Sequence, residues 1–236
     1  MSNSFLDTVV DGGYCVGCGV CAAIGRSFLR MRLDGLGLFK PERSNAPLPE
    51  GVVADLPALC PFSDRCLDED QIGTQLYKGL GEFDRNLGYH CSVYAGFVAE
   101  GDFRQRGSSG GLGKWILCKL LETGMVDAVV QVVPSVPSES EGLLFRYQVT
   151  ASIDETKNGA KSAYYPVEMS QVLQFIKDQP AVYAIVGLPC FMKGIRLLSS
   201  RSPVFKERVR FCIGLVCGHL KSARYADMLA WQLGIC

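Results

Sequence analysis

The pattern of apolar and polar positions divides the chain in two. Up to about residue 88, apolar residues come in short clusters broken by Gly, Pro and charge. From about Tyr89 they fall into longer periodic runs. Val126–Val133 is a nearly continuous β-branched run, the pattern of a strand buried on both faces. Tyr94–Ala99, Leu143–Ile153, Ala181–Val186 and Val209–Val216 read as further strands. Leu112–Glu122, Glu168–Asp178, Phe191–Ser199 and Ser222–Leu233 read as helices, and Gly124 ends the first of them. This alternation predicts an α/β fold, a mixed or parallel sheet with flanking helices, over residues 89–236. Residues 1–88 form a small separate module with little core of its own.

Turn residues refine the picture. Met31–Gly51 contains Gly35, Gly37, Pro41, Pro47 and Pro49 and predicts hairpins and loops. The acidic stretch Asp64–Asp70 opens a helix. Pro134–Gly142 and Asn158–Pro166 are polar connections between the periodic elements. The 236 residues are 48% apolar, and 24 Lys and Arg balance 24 Asp and Glu. That balance excludes a global basic field for nucleic acid, and the apolar content excludes disorder. The longest apolar runs fall well short of the ~20 residues of a membrane span. Met1–Val10 has neither the basic start nor the long apolar centre of a secretory signal, so a cytoplasmic protein is expected.

Eleven cysteines, an odd number without a signal peptide, argue against a disulfide framework. Their spacing is more informative. Cys15-Val-Gly-Cys-Gly-Val-Cys21 is a C-x2-C-x2-C run, followed at a distance by Cys60-Pro61. Two-residue gaps let one loop aim three thiolates at three corners of a cubane, and a remote Cys before Pro supplies the fourth. Gly13, Gly17 and Gly19 let the chain wind tightly and turn N–H groups toward sulfur. The pattern predicts a ferredoxin-like [4Fe–4S] module. Zinc is the alternative, although no second Cys-x2-Cys knuckle follows. In a two-cluster ferredoxin a further Cys would lie just past Cys21, where Gly25 stands, so Cys60 takes the fourth corner with Cys66 in reserve. Cys190 and Cys217 fall at the ends of two strands, and two thiolates are half of a cluster site. Cys66, Cys91, Cys118, Cys212 and Cys236 read as bystanders, as do His90 and His219.

The turn Gly107-Ser108-Ser109-Gly110-Gly111 precedes a helix. Orphan N–H groups and the helix dipole make such a place suit an anion, while the plain alternative is a helix cap. Lys161 has the charge to meet a phosphate or the N1–C2=O edge of a flavin, and Tyr164 or Tyr165 has a ring to stack. The plain alternative is a solvated lysine and half-buried tyrosines.

Taken in order, five stretches resemble the coenzyme F420 hydrogenase/dehydrogenase beta-subunit family. They are Cys15–Cys21 with Cys60-Pro-Phe62, Arg104–Gly111 with its helix, Gly159–Pro166, Gly187–Cys190 with Gly194-Ile-Arg196, and Gly214–Cys217. The resemblance implies an iron–sulfur flavoprotein oxidoreductase passing electrons between a [4Fe–4S] cluster and FAD. FAD would lie against the 107–111 turn and the loop of Lys161, Ser162, Tyr164 and Tyr165 in an α/β flavin-binding domain. Coenzyme F420 or a related small molecule is the implied substrate. Ferredoxin, another redox carrier or another oxidoreductase subunit is the implied partner. Cys190 and Cys217 would belong to a second cluster whose remaining ligands come from a later Cys-x2-Cys. That motif is absent here, so a C-terminally truncated member is expected. The alternatives are a non-catalytic electron-transfer subunit retaining the N-terminal cluster and a zinc-stabilised binding module.

Overall fold

Strands that carry apolar residues on both faces must be covered from both sides, and the central sheet follows that rule. The computed structural model describes residues 6–25, 28–45, 50–136, 142–159 and 161–235. Pro47, Pro49, Cys236 and the middle of the loop expected over 134–142 lie outside them.

The sheet contains β5 (Ala128–Pro134), β6 (Phe145–Thr150), β7 (Tyr183–Gly187) and β8 (Val209–Gly214) in the order β6-β5-β7-β8. β5, β7 and β8 run parallel, and β6 pairs antiparallel with β5, so the sheet is mixed as expected. Side chains alternate between its faces. Val129, Ala184, Phe211 and Ile213 pack on one side with Leu117 and Leu120 of α5 (Leu112–Glu122). On the other side Val130, Tyr183 and Ile185 meet Leu173 and Ile176 of α7 (Ser170–Asp178). Phe191, Ile195 and Leu198 of α8 (Pro189–Arg201) and Phe205 of α9 (Pro203–Arg208) complete that core. The short α6 (Ile153–Asn158) caps the first side, where buried Gln131 donates to the carbonyls of Glu155 and Thr156 at 3.3 and 3.2 Å. The last helix, α10 (Ala223–Gln232), starts at the cap Ser222, close to the expected boundary.

Residues 6–90 contain α1 (Val20–Ile24), the hairpin β1 (Leu29–Leu33) and β2 (Phe39–Arg43), α2 (Glu50–Leu59), α3 (Glu69–Tyr77), and a small hairpin of β3 (Glu82–Asp84) and β4 (Gly88–His90). The acidic stretch does open a helix. Asp68 accepts from the Gln71 N–H at 2.7 Å, and Gln71 returns the bond to the Asp68 N–H at 3.0 Å, closing a capping box. α2 was not evident in the sequence, because Gly51 and Pro57 interrupt its helical pattern. Val20, Ala23 and Leu59 from this half join the same buried core as α7 and α8.

One expected strand does not form. Tyr94–Ala99 is irregular, with Tyr94 90% exposed. Its buried residue, Val98, bonds through its N–H to the Gly110 carbonyl at 2.8 Å instead of to a neighbouring strand. The Gly-rich turn therefore joins two helices, α4 (Phe103–Arg106) and α5, rather than a strand and a helix. α6 and α9 likewise occupy stretches where no helix was expected.

Leu173 is fully buried at the centre of the larger core. Leu173→Ala is expected to lower unfolding free energy by about 2–5 kcal/mol, read as a shifted denaturant midpoint with unchanged slope.

Candidate functional site

Cys15, Cys18, Cys21 and Cys60 line one pocket, although Cys60 comes from the far end of α2. Its walls are otherwise apolar: Val9, Val16, Val20, Met31, Pro61 and Phe62 are among them. The loop turns sharply at Gly17 and Gly19, both left-handed, with φ of 71° and 85°. Neither could carry a side chain easily. A Cβ on Gly17 would lie 2.5 Å from the Phe39 carbonyl oxygen, and one on Gly19 would lie 2.7 Å from the Ser170 nitrogen. Two contacts fix the loop from outside. The Met169 N–H donates to the Cys18 carbonyl at 3.1 Å, and Lys40 Nζ donates to the Cys15 carbonyl at 2.6 Å.

Backbone donors surround the sulfurs. The Gly17 N–H reaches Cys15 Sγ at 3.4 Å. Val20 supplies an amide to Cys18, Ala22 one to Cys21, and Phe62 and Ser63 supply theirs to Cys60. Burial nevertheless dominates the ionisation of these thiols. It holds Cys18 and Cys21 well above the usual thiol range, and the neighbouring thiols add to the effect. Cys60 is pushed up to about 11 by burial, despite its amide donors. A metal-free pocket thus keeps these groups protonated, and bound metal would supply the positive charge that reverses the preference. The donor set and the amides fit an iron–sulfur cluster. Among the described residues no three His, Cys, Asp or Glu side chains converge on a single-ion site.

α8 forms the floor beneath the loop. A Cβ on Gly194 would meet Val20 Cγ2 at 3.0 Å and Cys18 Sγ at 3.8 Å. One turn earlier on the helix lies Cys190, in its first turn rather than in the preceding loop as expected. Cys217 follows β8 and is exposed, and it is close enough for its charge to oppose ionisation of Cys190. Of the remaining cysteines, Cys118 is fully buried in the core, Cys212 is half-buried in β8, and Cys91 is exposed with its thiol donating to the Leu80 carbonyl at 3.4 Å. Cys66 lies near enough to raise the Cys60 thiol slightly. His219 is exposed ahead of α10.

The two stretches expected to bind an anion do meet. The Ser162 N–H donates to Ser108 Oγ at 3.1 Å. Nearby, Arg106 donates to Asn158 Oδ1 at 2.7 Å, and Lys114 Nζ donates to the Lys157 carbonyl at 3.0 Å and to the Gly159 carbonyl. Burial lowers the Lys114 pKa, and the charges of Arg106 and Lys161 lower it further, so three cations gather beside the turn. Gly111, with φ of 78°, caps α5 without a side-chain bond, and a Cβ there would lie 2.6 Å from the Phe103 carbonyl oxygen. Gly107 and Gly110 sit in similarly close quarters, while Ser108, Ser109 and Lys161 are exposed. Tyr164 presents its ring to solvent, whereas Tyr165 is buried with its ring 6.0 Å from that of Phe145. Ala160 lies outside the described residues. Lys114 and the contact of Gly194 with the cysteine loop were missed in the sequence. The only local signal was a glycine inside a helical pattern, which costs about 1 kcal/mol and so implies a packing reason.

An α/β protein with a thiol-lined pocket beside its sheet is the class defined so far. Residues 93–174 match the family described as coenzyme F420 hydrogenase/dehydrogenase, beta subunit N-term, and residues 181–236 match the carboxy-terminal part of the same beta subunit. The matches together cover more than half of the chain, which belongs to this family of oxidoreductase subunits. Both begin beyond Cys15–Cys60. Among solved structures, one similar chain belongs to the F420-reducing [NiFe] hydrogenase complex from Methanosarcina barkeri, at 14% identity and a TM-score of 0.50. The alignment covers 57% of this chain and 46% of that one, so the present chain spans less than half of its relative. No curated protein matches. No described helix is long and apolar enough to cross a membrane.

Gly13 and Gly17 share a left-handed backbone, but nothing lies within 4 Å of a Cβ on Gly13. Gly13→Ala is expected to cost only the left-handed strain of about 1–2 kcal/mol. Gly17→Ala is expected to cost clearly more, measured by denaturant unfolding of the metal-free chain. Equal losses would refute the close packing of Phe39 on the loop.

Proposed function

We propose that the chain is an iron–sulfur flavoprotein oxidoreductase subunit, with a [4Fe–4S] cluster on Cys15, Cys18, Cys21 and Cys60 and FAD at the 107–111 turn. The observation that carries this reading is that Cys60, distant in sequence, joins Cys15, Cys18 and Cys21 around one apolar pocket. The C-x2-C-x2-C run with a single remote Cys supports a cluster over zinc, whose sites pair two Cys-x2-Cys knuckles or finish with His. A bound cluster would exchange single electrons, and the flavin would convert between one- and two-electron chemistry.

The chain's own residues supply the rest. Amides of Gly17, Val20, Ala22, Phe62 and Ser63 donate to the cysteine sulfurs and offset part of their negative charge. Val9, Val16 and Phe62 limit water at the pocket. Arg106, Lys114 and Lys161, with the amino end of α5, favour phosphate groups beside Ser108 and Ser109. Lys161 and Tyr164, both exposed, are free to meet a flavin ring. The substrate in this reading is coenzyme F420 or a related small molecule. The electron partner is ferredoxin, another redox carrier or another oxidoreductase subunit.

Anaerobically purified chain should contain iron and sulfide in equal amounts and show broad visible absorption that dithionite bleaches. Cys18→Ser should remove that iron; unchanged iron content, or zinc in its place, would reject the assignment. Lys161→Ala should weaken FAD binding about tenfold, as for loss of one charged contact, measured by flavin fluorescence. A chain that holds its cluster but takes no FAD would be an electron-transfer subunit only.

A further inference from the structure

The central sheet ends on one side at β6, and among the described residues no strand lies on its outer edge. The hairpin strand β1 likewise pairs only with β2. Both strands line one groove of about 910 Å³, together with Ser170, Gln171 and Gln174 of α7. Every residue of Leu29–Leu33 borders it, and so do Phe145, Arg146 and Tyr147 in succession. Side chains along a strand alternate between faces. An unbroken run of lining residues therefore means that strand edges, not sheet faces, form the two walls.

These edges carry open backbone groups. In an antiparallel ladder, successive residues alternately bond the partner strand and turn outward. The Ser135 N–H bonds the Leu144 carbonyl at 2.8 Å, which sets the alternation for β6. Phe145 and Tyr147 consequently turn their N–H and C=O groups away from β5. Pro134, which has no N–H to give, stands opposite Phe145 in keeping with this. The Asp34 N–H bonds the Leu38 carbonyl at 2.9 Å and does the same for β1. Met31 and Leu33 thus turn outward from β2, and Pro41 stands opposite Met31. No described residue bonds to these outward groups. Tyr147 is 6% exposed, which leaves little water for its unpaired backbone.

Charge and pattern define the occupant. Arg30 and Arg32 alternate with Leu29, Met31 and Leu33 along one wall, and Arg146 stands between Phe145 and Tyr147 along the other. Glu168, the one carboxylate among the described lining residues, already accepts from the Ser170 N–H. Cross-strand neighbours on one face favour opposite charges or shared apolarity. We propose that the groove takes an extended segment of a partner protein, alternating acidic with apolar residues, as an added strand on β6. Its acidic side chains meet Arg146 and, across the groove, Arg30 and Arg32. Met31 lines this groove and the cysteine pocket alike, so the segment docks one side chain away from that pocket. That the partner is an electron carrier rests on the cluster reading above; the docking itself does not.

The test titrates the 236-residue chain into a short fluorescein-labelled peptide alternating Glu and Val, followed by anisotropy at low salt. Saturable binding is expected, with isotope-labelled peptide carbonyls absorbing at the strand position in the infrared. A peptide with Lys in place of Glu should bind at least about tenfold more weakly. The Glu peptide should lose as much against Arg146→Glu, an exposed position at which the circular dichroism spectrum should not change. Of two Glu peptides N-methylated on alternate residues, the one whose N–H groups toward β6 are blocked should not bind. No binding, equal binding of the Glu and Lys peptides, or undiminished binding of both methylated peptides would overturn the proposal. A chain that is dimeric by light scattering and takes no peptide would overturn it by assigning the edge to a second copy. Iron content is read separately, so a chain without iron that binds the peptide would uphold the groove while rejecting the cluster.

Discussion

The close approach of the cysteine loop to α8 is the contact on which the rest of the molecule depends. Gly194 makes it possible, because a Cβ there would press on Val20 at 3.0 Å. A glycine in a helix interior is a local liability of about 1 kcal/mol. Here the liability is offset by the burial it permits. Val20, Ala23 and Leu59 enter the core formed by α7, α8 and the sheet. The amino-terminal residues are too few to bury much apolar surface alone, and small modules of that kind need a staple or a neighbour. Their neighbour is the helix that also carries Cys190.

The two halves of the surface answer opposite electrostatic demands. In the cysteine pocket, burial opposes charge on Cys18, Cys21 and Cys60, and bound metal would reverse that preference. The remedy is local: amides pointed at sulfur by left-handed glycines, with no cationic side chain among the described residues of the pocket wall. At the 107–111 turn the problem is reversed. Burial, and then the charges of Arg106 and Lys161, lower the Lys114 pKa, and an anion would offset the crowding of the three cations. Carbonyls of Lys157 and Gly159 hold Lys114 meanwhile, which also ties α5 to the loop that follows α6. Both arrangements make the folded chain more receptive to a charged group than its neutral overall composition suggests.

Much of the fold was legible because it rests on periodicity. Val126–Val133 lies on both sheet faces, so its unbroken β-branched pattern reports burial directly. α5, α7 and α10 fall close to their expected bounds because caps and apolar spacing are local properties. Tyr94–Ala99 misled for the same reason. Its composition suits a strand, but a strand also needs a partner, and Val98 finds Gly110 of the turn instead. α2 was hidden because its helical conformation persists through Gly51 and Pro57, where tertiary contacts outweigh propensity.

For the candidate sites, the division is between spacing and juxtaposition. The sequence by itself determined that Cys15, Cys18 and Cys21 share one tight loop, since two-residue gaps and left-handed glycines leave the backbone few other courses. It also marked the 107–111 turn and the Lys161–Tyr165 loop as separate polar stretches. Only the tertiary structure decided that Cys60 closes the same pocket, that Ser162 bonds Ser108, that Tyr165 turns inward while Tyr164 does not, and that Gly187 and Gly214 align their cysteines. Those outcomes depend on strand register and helix packing, which are set by the combined shapes of many buried side chains. No window of neighbouring residues contains that information.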